Sequence, residues 1–275
     1  MRLDYGLFEV QPLTPTIGAT VQDVKLGDVD DTMAEAVHAA WMDWKVLFFR
    51  NQQITTDEQI SFARHFGELE KHPFVVDGET PPEVLVLEST PEMPSSASAW
   101  HSDVTFAERP PMGSILRGRI IPPVGGDTLW ANMVEAYDQL RDDLKAKIEG
   151  RAAVHDFLKA FGRNMSEERK AEALEEHPPQ LHPIVRTHPE TGEKALFVNS
   201  IFTSHIDGMD RAESDILLRQ LRDRAKQPEF QCRFRWEPDS VAMWDNRCTQ
   251  HYASPDFHPA HRRVERVTLT GDRPF

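Results

Sequence analysis

The segment Trp100-His-Ser-Asp-Val-Thr-Phe106 carries an imidazole and a carboxylate two residues apart, at His101 and Asp103. On a β-strand such positions point to one face, so both side chains can reach the same metal ion. The pattern favours His251, near the end of the chain, as a third ligand. Two imidazoles and one carboxylate leave metal positions open, as in non-haem Fe(II) oxygenases. The alternative is a polar surface pair, because a chain with 12 histidines produces a His-x-Asp by chance.

Strand patterns surround this segment. Alternate residues are apolar in Phe230-Gln-Cys-Arg-Phe-Arg-Trp236, which is the period of a half-buried strand, and a turn at 237–240 leads into a second strand at 241–244. The short apolar run at 46–49 predicts a buried strand. A hairpin is expected around 189–192. These patterns predict a fold built largely from strands.

Helices are predicted at 31–44, 56–66, 133–149 and 210–226. For the second of them, Thr56 is the expected N-cap and Gly67 the expected end. The charged segment 163–180 has little apolar periodicity and allows two interpretations. It is either a solvated helix or loop, or a mobile lid over a site.

Length and composition narrow the class of protein. No repeat or low-complexity linker divides the 275 residues, which favours a single domain over 1–275. The net charge of −14 argues against nucleic acid as a partner. Two cysteines cannot build a disulfide framework, which favours a reducing compartment. Neither a signal peptide nor a stretch able to cross a bilayer is evident, so we expect a cytoplasmic location and no membrane association.

Four stretches together carry a family resemblance: 100–106, Gly125-Gly-Asp-Thr-Leu-Trp-Ala-Asn132, Trp244-Asp-Asn-Arg-Cys-Thr-Gln-His-Tyr252 and 266–274. The chain resembles the taurine dioxygenase/TfdA-like family of Fe(II)- and 2-oxoglutarate-dependent dioxygenases. The resemblance implies a mainly β fold with flanking helices (α+β), built on a double-stranded β-helix core of the jelly-roll or cupin-like type. It also implies Fe(II), 2-oxoglutarate and O2, with His101, Asp103 and His251 as iron ligands and Thr128 in contact with the 2-oxoglutarate.

The last predicted strand contains the candidate anion-binding residues. Period 2 places Arg262 and Arg266 on one face and Arg263 on the other. The resemblance assigns Arg262 to the distal carboxylate of 2-oxoglutarate, and Arg266 to an acidic group of the substrate or to the cosubstrate. Alignment of the Arg-Arg pair would select Arg263 instead. Arg262 is preferred because it shares its face with Arg266.

The family hydroxylates small anionic compounds with release of succinate and CO2, so the resemblance implies a sulfonate such as taurine, an alkyl sulfate or an aryloxyalkanoate as substrate. Taurine-type members combine a histidine, present here as His72, with a tyrosine and an asparagine. Val75 and Ala97 stand in the place of the latter two. This change favours a substrate without a free amine. Three aromatic residues are candidates to line the pocket, or simply to fill the core: Phe106, Phe157 and Phe202.

Two other functions stay open from the sequence. The same iron site can carry out oxidative decarboxylation or desaturation of an amino acid derivative. A protein of another class, a non-catalytic sensor of a small acid or a metal, can also use this fold. Relatives are commonly dimers or tetramers, so a homodimer or homotetramer is expected.

Overall fold

The fold is taken from a computed structural model, which describes residues 2–71, 80–94 and 99–275. Its strands are β1 (Val10–Pro12), β2 (Ala19–Val21), β3 (Val46–Phe49), β4 (Val84–Ser89), β5 (Gly113–Ile120), β6 (Thr128–Asn132), β7 (Ala152–His155), β8 (Gln180–Pro183), β9 (Val185–Thr187), β10 (Lys194–Leu196), β11 (Thr203–Ile206), β12 (Gln231–Phe234), β13 (Val241–Asp245), β14 (Thr249–Ala253) and β15 (Arg262–Leu269). Its helices are α1 (Asp31–Trp44), α2 (Thr56–Arg64), α3 (Met133–Asp138), α4 (Asp142–Ile148), α5 (Phe157–Phe161), α6 (Glu167–Glu176) and α7 (Arg211–Arg222). Short 3₁₀ turns lie at Leu26–Asp28, Gly162–Asn164, Asp223–Lys226 and Pro228–Phe230.

Two facing sheets form the centre of the molecule. The larger sheet has the strand order β1-β2-β3-β13-β5-β15-β4, and the smaller sheet has the order β12-β6-β14. All neighbours in these two sheets are antiparallel except β2 and β3. Strands β11, β7 and β8 form a further sheet, and β9 pairs with β10. The predicted jelly-roll core with flanking helices is confirmed.

The central strands β3 and β13 of the larger sheet are buried on both faces. In β3, Val46 and Phe48 pack toward the smaller sheet, and the Phe48 ring lies 5.4 Å from that of Trp130. The alternate residues Leu47 and Phe49 belong to the core beneath α1 and α2. A strand covered on both sides has no polar face to display, which explains its uninterrupted apolar run. The predicted buried strand at 46–49 is confirmed.

Most of the predicted helices and turns are confirmed. Asp30 caps α1, and a 3₁₀ turn extends α7 to Lys226. The expected hairpin around 189–192 joins β9 to β10. The N-cap of α2 is Thr55 rather than Thr56, because its side chain accepts from the Glu58 N–H and forms a capping box.

The single helix predicted at 133–149 is wrong. The chain forms α3 and α4, separated at residues 139–141. Arg141 is extended, and Asp142 and Asp143 begin a new helix, where carboxylates interact favourably with the helix dipole. Leu140 is buried between the two helices, at 5% exposure. Burial of one leucine thus interrupts a run that is helical by local pattern alone.

The charged segment at 163–180 contains α6, capped by Ser166. Ala173 is the buried residue of this helix, and its other positions are partly or fully exposed. The solvated-helix interpretation fits this burial pattern, while the lid interpretation concerns movement and stays a prediction. Within the described ranges, no helix has the length and apolar character needed to cross a bilayer. Cys232 and Cys248 are free and buried.

Candidate active site

His101, Asp103 and His251 meet at the β14 edge of the smaller sheet. His251 lies in β14, and His101 joins it through an isolated antiparallel bridge with backbone N–O distances of 3.1 and 2.7 Å. His101 Nε2 lies 3.5 Å and His251 Nε2 3.9 Å from the same Asp103 oxygen, Oδ1. The predicted strand at this segment is only partly right, because Asp103 already stands in a turn. Pairing of residue 101 with β14 places the ligands together.

Each donor atom is in the state that a metal requires. His101 Nδ1 donates to the Ala99 carbonyl oxygen at 2.8 Å, which leaves the Nε2 lone pair directed toward Asp103. Burial, with the neighbouring His101, lowers the pKa of His251 to about 3, so this imidazole is neutral near pH 7. Burial by itself would raise the pKa of Asp103, but Arg266 and the two imidazoles hold it well below its usual range. Two imidazole nitrogens and a carboxylate fit Fe(II).

Arg266 fixes the second oxygen of Asp103. Its Nη1 donates to Asp103 Oδ2 at 3.0 Å, on the side of the carboxylate away from the imidazoles. The buried Nε of Arg266 has no hydrogen-bond partner among the residues that the structure describes. This arrangement orients Oδ1 toward the metal position and leaves a guanidinium donor for an anion beside it.

Arg262 lies on the same face of β15, beside the glycine turn that precedes β6. Its guanidinium carbon is 5.9 Å from the ring centroids of both Trp236 and Phe257. Burial lowers the pKa of Arg262 to about 10, and its Nε lacks a hydrogen-bond partner within the described ranges. Gly126, at φ +72°, allows this approach, since a Cβ there would stand 3.3 Å from Arg262 Cδ. A desolvated guanidinium of this kind suits a carboxylate.

Thr128 and Trp236 belong to the same cluster. The indole Nε1 of Trp236 donates to Thr128 Oγ1 at 2.9 Å, and both residues are buried. The hydroxyl hydrogen of Thr128 is thereby free to donate elsewhere. Trp236 and Phe257 were not recognised as site residues from the sequence. The sequence held one signal for Trp236: it follows Phe234 by two residues, so both side chains are expected on the same face of the strand. Both pack in the core between the facing sheets.

Arg263 occupies the opposite face of β15. Its guanidinium lies 3.7 Å from Glu88 and 3.8 Å from Glu265, and its side chain is 36% exposed. The pairing of β15 with β5 has a local irregularity, but the unpaired residue lies on β5. Successive side chains of β15 therefore still point to opposite faces. Of the two alternative arginines, Arg262 is therefore the one on the side of Trp236, which bonds Thr128.

An aromatic cluster adjoins the His101 ring. Phe202 lies 6.5 Å from that ring, Phe106 lies 5.2 Å from Phe202, and Phe157 lies 5.1 Å from Phe106. His177, which the sequence did not single out, is 4.8 Å from Phe157. The three predicted phenylalanines are thus brought together next to the triad. The predictions for His72, Val75 and Ala97 lie outside the described residues.

A second group of residues of metal-binding type, His188, Asp245 and Cys248, lies within a structural network of hydrogen bonds and ion pairs. Asp245 accepts from His188 Nε2 at 2.9 Å and from Arg247 Nη2 at 2.6 Å. Its charge is therefore already balanced. Burial raises the pKa of the adjacent Cys248 thiol well above its usual value, and a protonated thiol is a poor metal ligand. These residues tie the loop at 188–190 to the β13–β14 turn.

The buried His155 supports the turn that carries Asp103. Its Nδ1 lies 2.8 Å from Thr105 Oγ1, and neither residue is exposed. Burial, with His182 nearby, lowers the pKa of His155 well below its usual value. In the unfolded chain this histidine titrates near 6.5. The unfolded state thus binds a proton that the folded state excludes.

We expect the free energy of unfolding of the metal-free protein to fall as the pH drops from about 6.5 to about 4.5, by up to about 1.4 kcal/mol per pH unit for each such histidine. His251 adds to this slope with the same sign. Urea unfolding at several pH values measures it, and His155→Gln should flatten the profile. An unchanged slope in that variant would contradict the assignment.

The family described as "Taurine catabolism dioxygenase TauD, TfdA family" matches residues 9–268. The chain belongs to the TauD, TfdA family. It is 38% identical over 273 residues to an alkylsulfatase of Acinetobacter baylyi, and the match covers 96% of this chain and 85% of that protein. It is 36% identical over 275 residues to an (S)-phenoxypropionate/alpha-ketoglutarate-dioxygenase of Sphingobium herbicidovorans, with 96% of both chains covered.

A solved structure of AAD-2 in complex with Mn(II) and N-oxalylglycine superposes on this TauD, TfdA family member with a TM-score of 0.86. The two sequences are 29% identical, and the match covers 97% of this chain and 99% of that one. Family membership confirms the predicted enzyme class, a 2-oxoglutarate-dependent non-haem iron dioxygenase. It also confirms Fe(II), 2-oxoglutarate and O2 as what this class requires.

Proposed function

We propose that His101, Asp103 and His251 bind the Fe(II) of a dioxygenase that hydroxylates a small anionic organic substrate. The observation that carries the proposal is the convergence of both imidazole Nε2 atoms on Asp103 Oδ1, at 3.5 and 3.9 Å. Bound Fe(II), with 2-oxoglutarate and O2, supplies the oxidising power for an unactivated C–H bond and releases succinate and CO2. The residues of this chain supply position, charge and exclusion of water.

Arg262 and Thr128 are proposed to bind the distal carboxylate of 2-oxoglutarate. The enclosed guanidinium, its unpartnered Nε and the adjacent threonine hydroxyl provide donors at one end of the site. Arg266 is proposed to hold Asp103 through one nitrogen and to offer another to an acidic group of the substrate or cosubstrate. Arg262 and Arg266 thus offer donors to two different acidic groups.

An alkyl sulfate ester or an aryloxyalkanoate is proposed as substrate in preference to taurine. The aromatic cluster of Phe106, Phe157 and Phe202 suits an apolar group beside an anion. The relatives named for alkyl sulfate and phenoxypropionate support the same choice. They do not favour the sensor or the desaturation and decarboxylation alternatives.

Organisation beyond the site is also part of the proposal. A single domain over 1–275 is supported by a family match that spans residues 9–268. Assembly into a homodimer or homotetramer and a cytoplasmic location rest on the sequence and the family resemblance. Light scattering on purified protein measures the assembly directly.

Succinate formation tests the function. Anaerobically reconstituted Fe(II) protein is given 2-oxoglutarate and O2 with alkyl sulfates, phenoxypropionate or taurine. We expect a sulfate ester or the aryloxy acid to stimulate succinate release more than taurine, and His101→Ala to abolish it. His38→Ala, which removes a partly exposed histidine paired with Glu190, is the control and should retain activity. Absence of both 2-oxoglutarate binding and succinate release would contradict the proposal.

A further inference from the structure

The turn that presents Asp103 contains an unusual backbone conformation. Val104 has φ +52°, in the left-handed region that β-branched residues strongly disfavour. Such a conformation persists only where surrounding contacts enforce it. Its position, one residue after a proposed iron ligand, raises the question of which contacts hold it.

Asn246 holds the backbone of Asp103, at the start of this turn, with its side-chain amide. Its Oδ1 accepts from the Asp103 backbone N–H at 2.7 Å, and its Nδ2 donates to the Asp103 carbonyl at 3.1 Å. The same Nδ2 donates to the Pro111 carbonyl at 3.0 Å. Asn246 is 1% exposed, so no solvent competes for these bonds.

Further contacts support the flanks of the turn. Ser102 Oγ donates to the Thr249 carbonyl at 2.7 Å, and Asn199 Nδ2 donates to Thr105 Oγ1 at 2.9 Å. Neither of these side chains bonds the backbone of Asp103. In the described part of the chain, Asn246 is the residue whose side chain bonds both the N–H and the carbonyl of this ligand.

We infer that Asn246 is a positioning residue for Asp103: by stabilising the left-handed turn at Val104, it sets the direction in which the Asp103 carboxylate faces the two imidazoles. The inference rests on the proposed role of Asp103 as an iron ligand. Asn246 does not touch the triad side chains and acts through the backbone alone. This gives a role to the Asp-Asn-Arg segment that lies five residues before His251.

The chain offers a matched control in Gln52. Its Oε1 accepts from the Leu26 N–H at 2.9 Å, and its Nε2 donates to the carbonyls of Val24 at 2.9 Å and Arg50 at 2.8 Å. Gln52 is also buried, at 5% exposure. Its amide thus makes the same set of backbone bonds as Asn246, at a place outside the iron site. Any effect of losing a buried amide in general appears in both variants.

Mn(II) binding to the metal-free protein, followed by its EPR signal, is the test, because it does not depend on turnover. We expect Asn246→Ala to weaken Mn(II) binding by about 10- to 100-fold, the usual range for a partner that orients a metal ligand. Gln52→Ala should lower the melting temperature comparably and leave Mn(II) affinity unchanged. Similar Mn(II) affinities in Asn246→Ala and wild type would overturn the inference, as would an equal loss in Gln52→Ala.

A glycine at position 104 separates positioning from general structure. Glycine adopts the left-handed conformation without strain, so adding Val104→Gly to Asn246→Ala should recover about tenfold of the lost affinity. The double variant also keeps the test usable if the single variant does not fold. No recovery in the double variant would overturn the inference.

Asp103→Ala distinguishes failure of the inference from failure of the iron site. Equal Mn(II) binding by Asp103→Ala and wild type would overturn the proposed ligand set and the inference with it. Loss of Mn(II) binding in Asp103→Ala, combined with wild-type binding in Asn246→Ala, would overturn the inference alone.

Discussion

Asp103→Ala is expected to lower 2-oxoglutarate-dependent turnover at least about 10³-fold, because a lost metal ligand removes several kcal/mol of transition-state stabilisation. The variant also leaves Arg266 without the carboxylate that it contacts at 3.0 Å. A positive charge without its partner then remains beside two imidazoles and opposes a cationic metal. Succinate release and Mn(II) affinity, measured side by side, check both consequences.

The control for Asp103→Ala is Asp272→Ala. Asp272 is the carboxylate partner of the fully buried Arg186, and it is not part of the triad. Its removal also leaves a buried arginine unpaired, so the two variants share a loss of stability. We expect Asp272→Ala to keep turnover per folded molecule. Retention of more than about a tenth of the turnover in Asp103→Ala would contradict the ligand assignment, since one lost order of magnitude is only about 1.4 kcal/mol.

Arg262→Ala is expected to weaken 2-oxoglutarate binding by about 10²- to 10³-fold, the cost of removing one member of a buried, hydrogen-bonded charge pair. The guanidinium is enclosed by Trp236 and Phe257, and no carboxylate partner for it is found in the described residues. A bound carboxylate therefore faces little competition from water or protein acids. Calorimetry with 2-oxoglutarate and the KM from succinate release both measure the effect.

Arg263→Ala is the matched control for this prediction. Arg263 is partly exposed and shares two long ion pairs with Glu88 and Glu265. Its removal should change 2-oxoglutarate binding less than about threefold, as is typical for an exposed ion pair. The opposite order of effects would assign the carboxylate to Arg263.

Arg262→Ala should not destabilise the metal-free fold as a core substitution would, because an unpaired buried charge opposes folding.

The local sequence was sufficient to predict a helix or strand where the spacing of apolar side chains agrees with their burial in the structure. The helix at 31–44 and the strand at 46–49 could be predicted because the apolar spacing of one and the apolar run of the other match what the core covers. The alternation of Arg262 and Arg263 on β15 also follows from period 2 alone. Where one core contact decides, as with Leu140 between α3 and α4, the local pattern gave a single helix that the structure divides.

The sequence by itself determined the family, the residue types of the triad and the alternation of Arg262 and Arg263 on β15. These depend on motifs and periodicities within a few residues, which the chain displays directly. Only the tertiary structure decided how Asp103 is held, which arginine lies on the side of Trp236, and that Trp236 bonds Thr128. The Asn246–Asp103 contact joins residues 143 apart, and Trp236 and Thr128 are 108 apart. Such contacts are set by strand pairing and by the packing of two sheets, which no local pattern encodes.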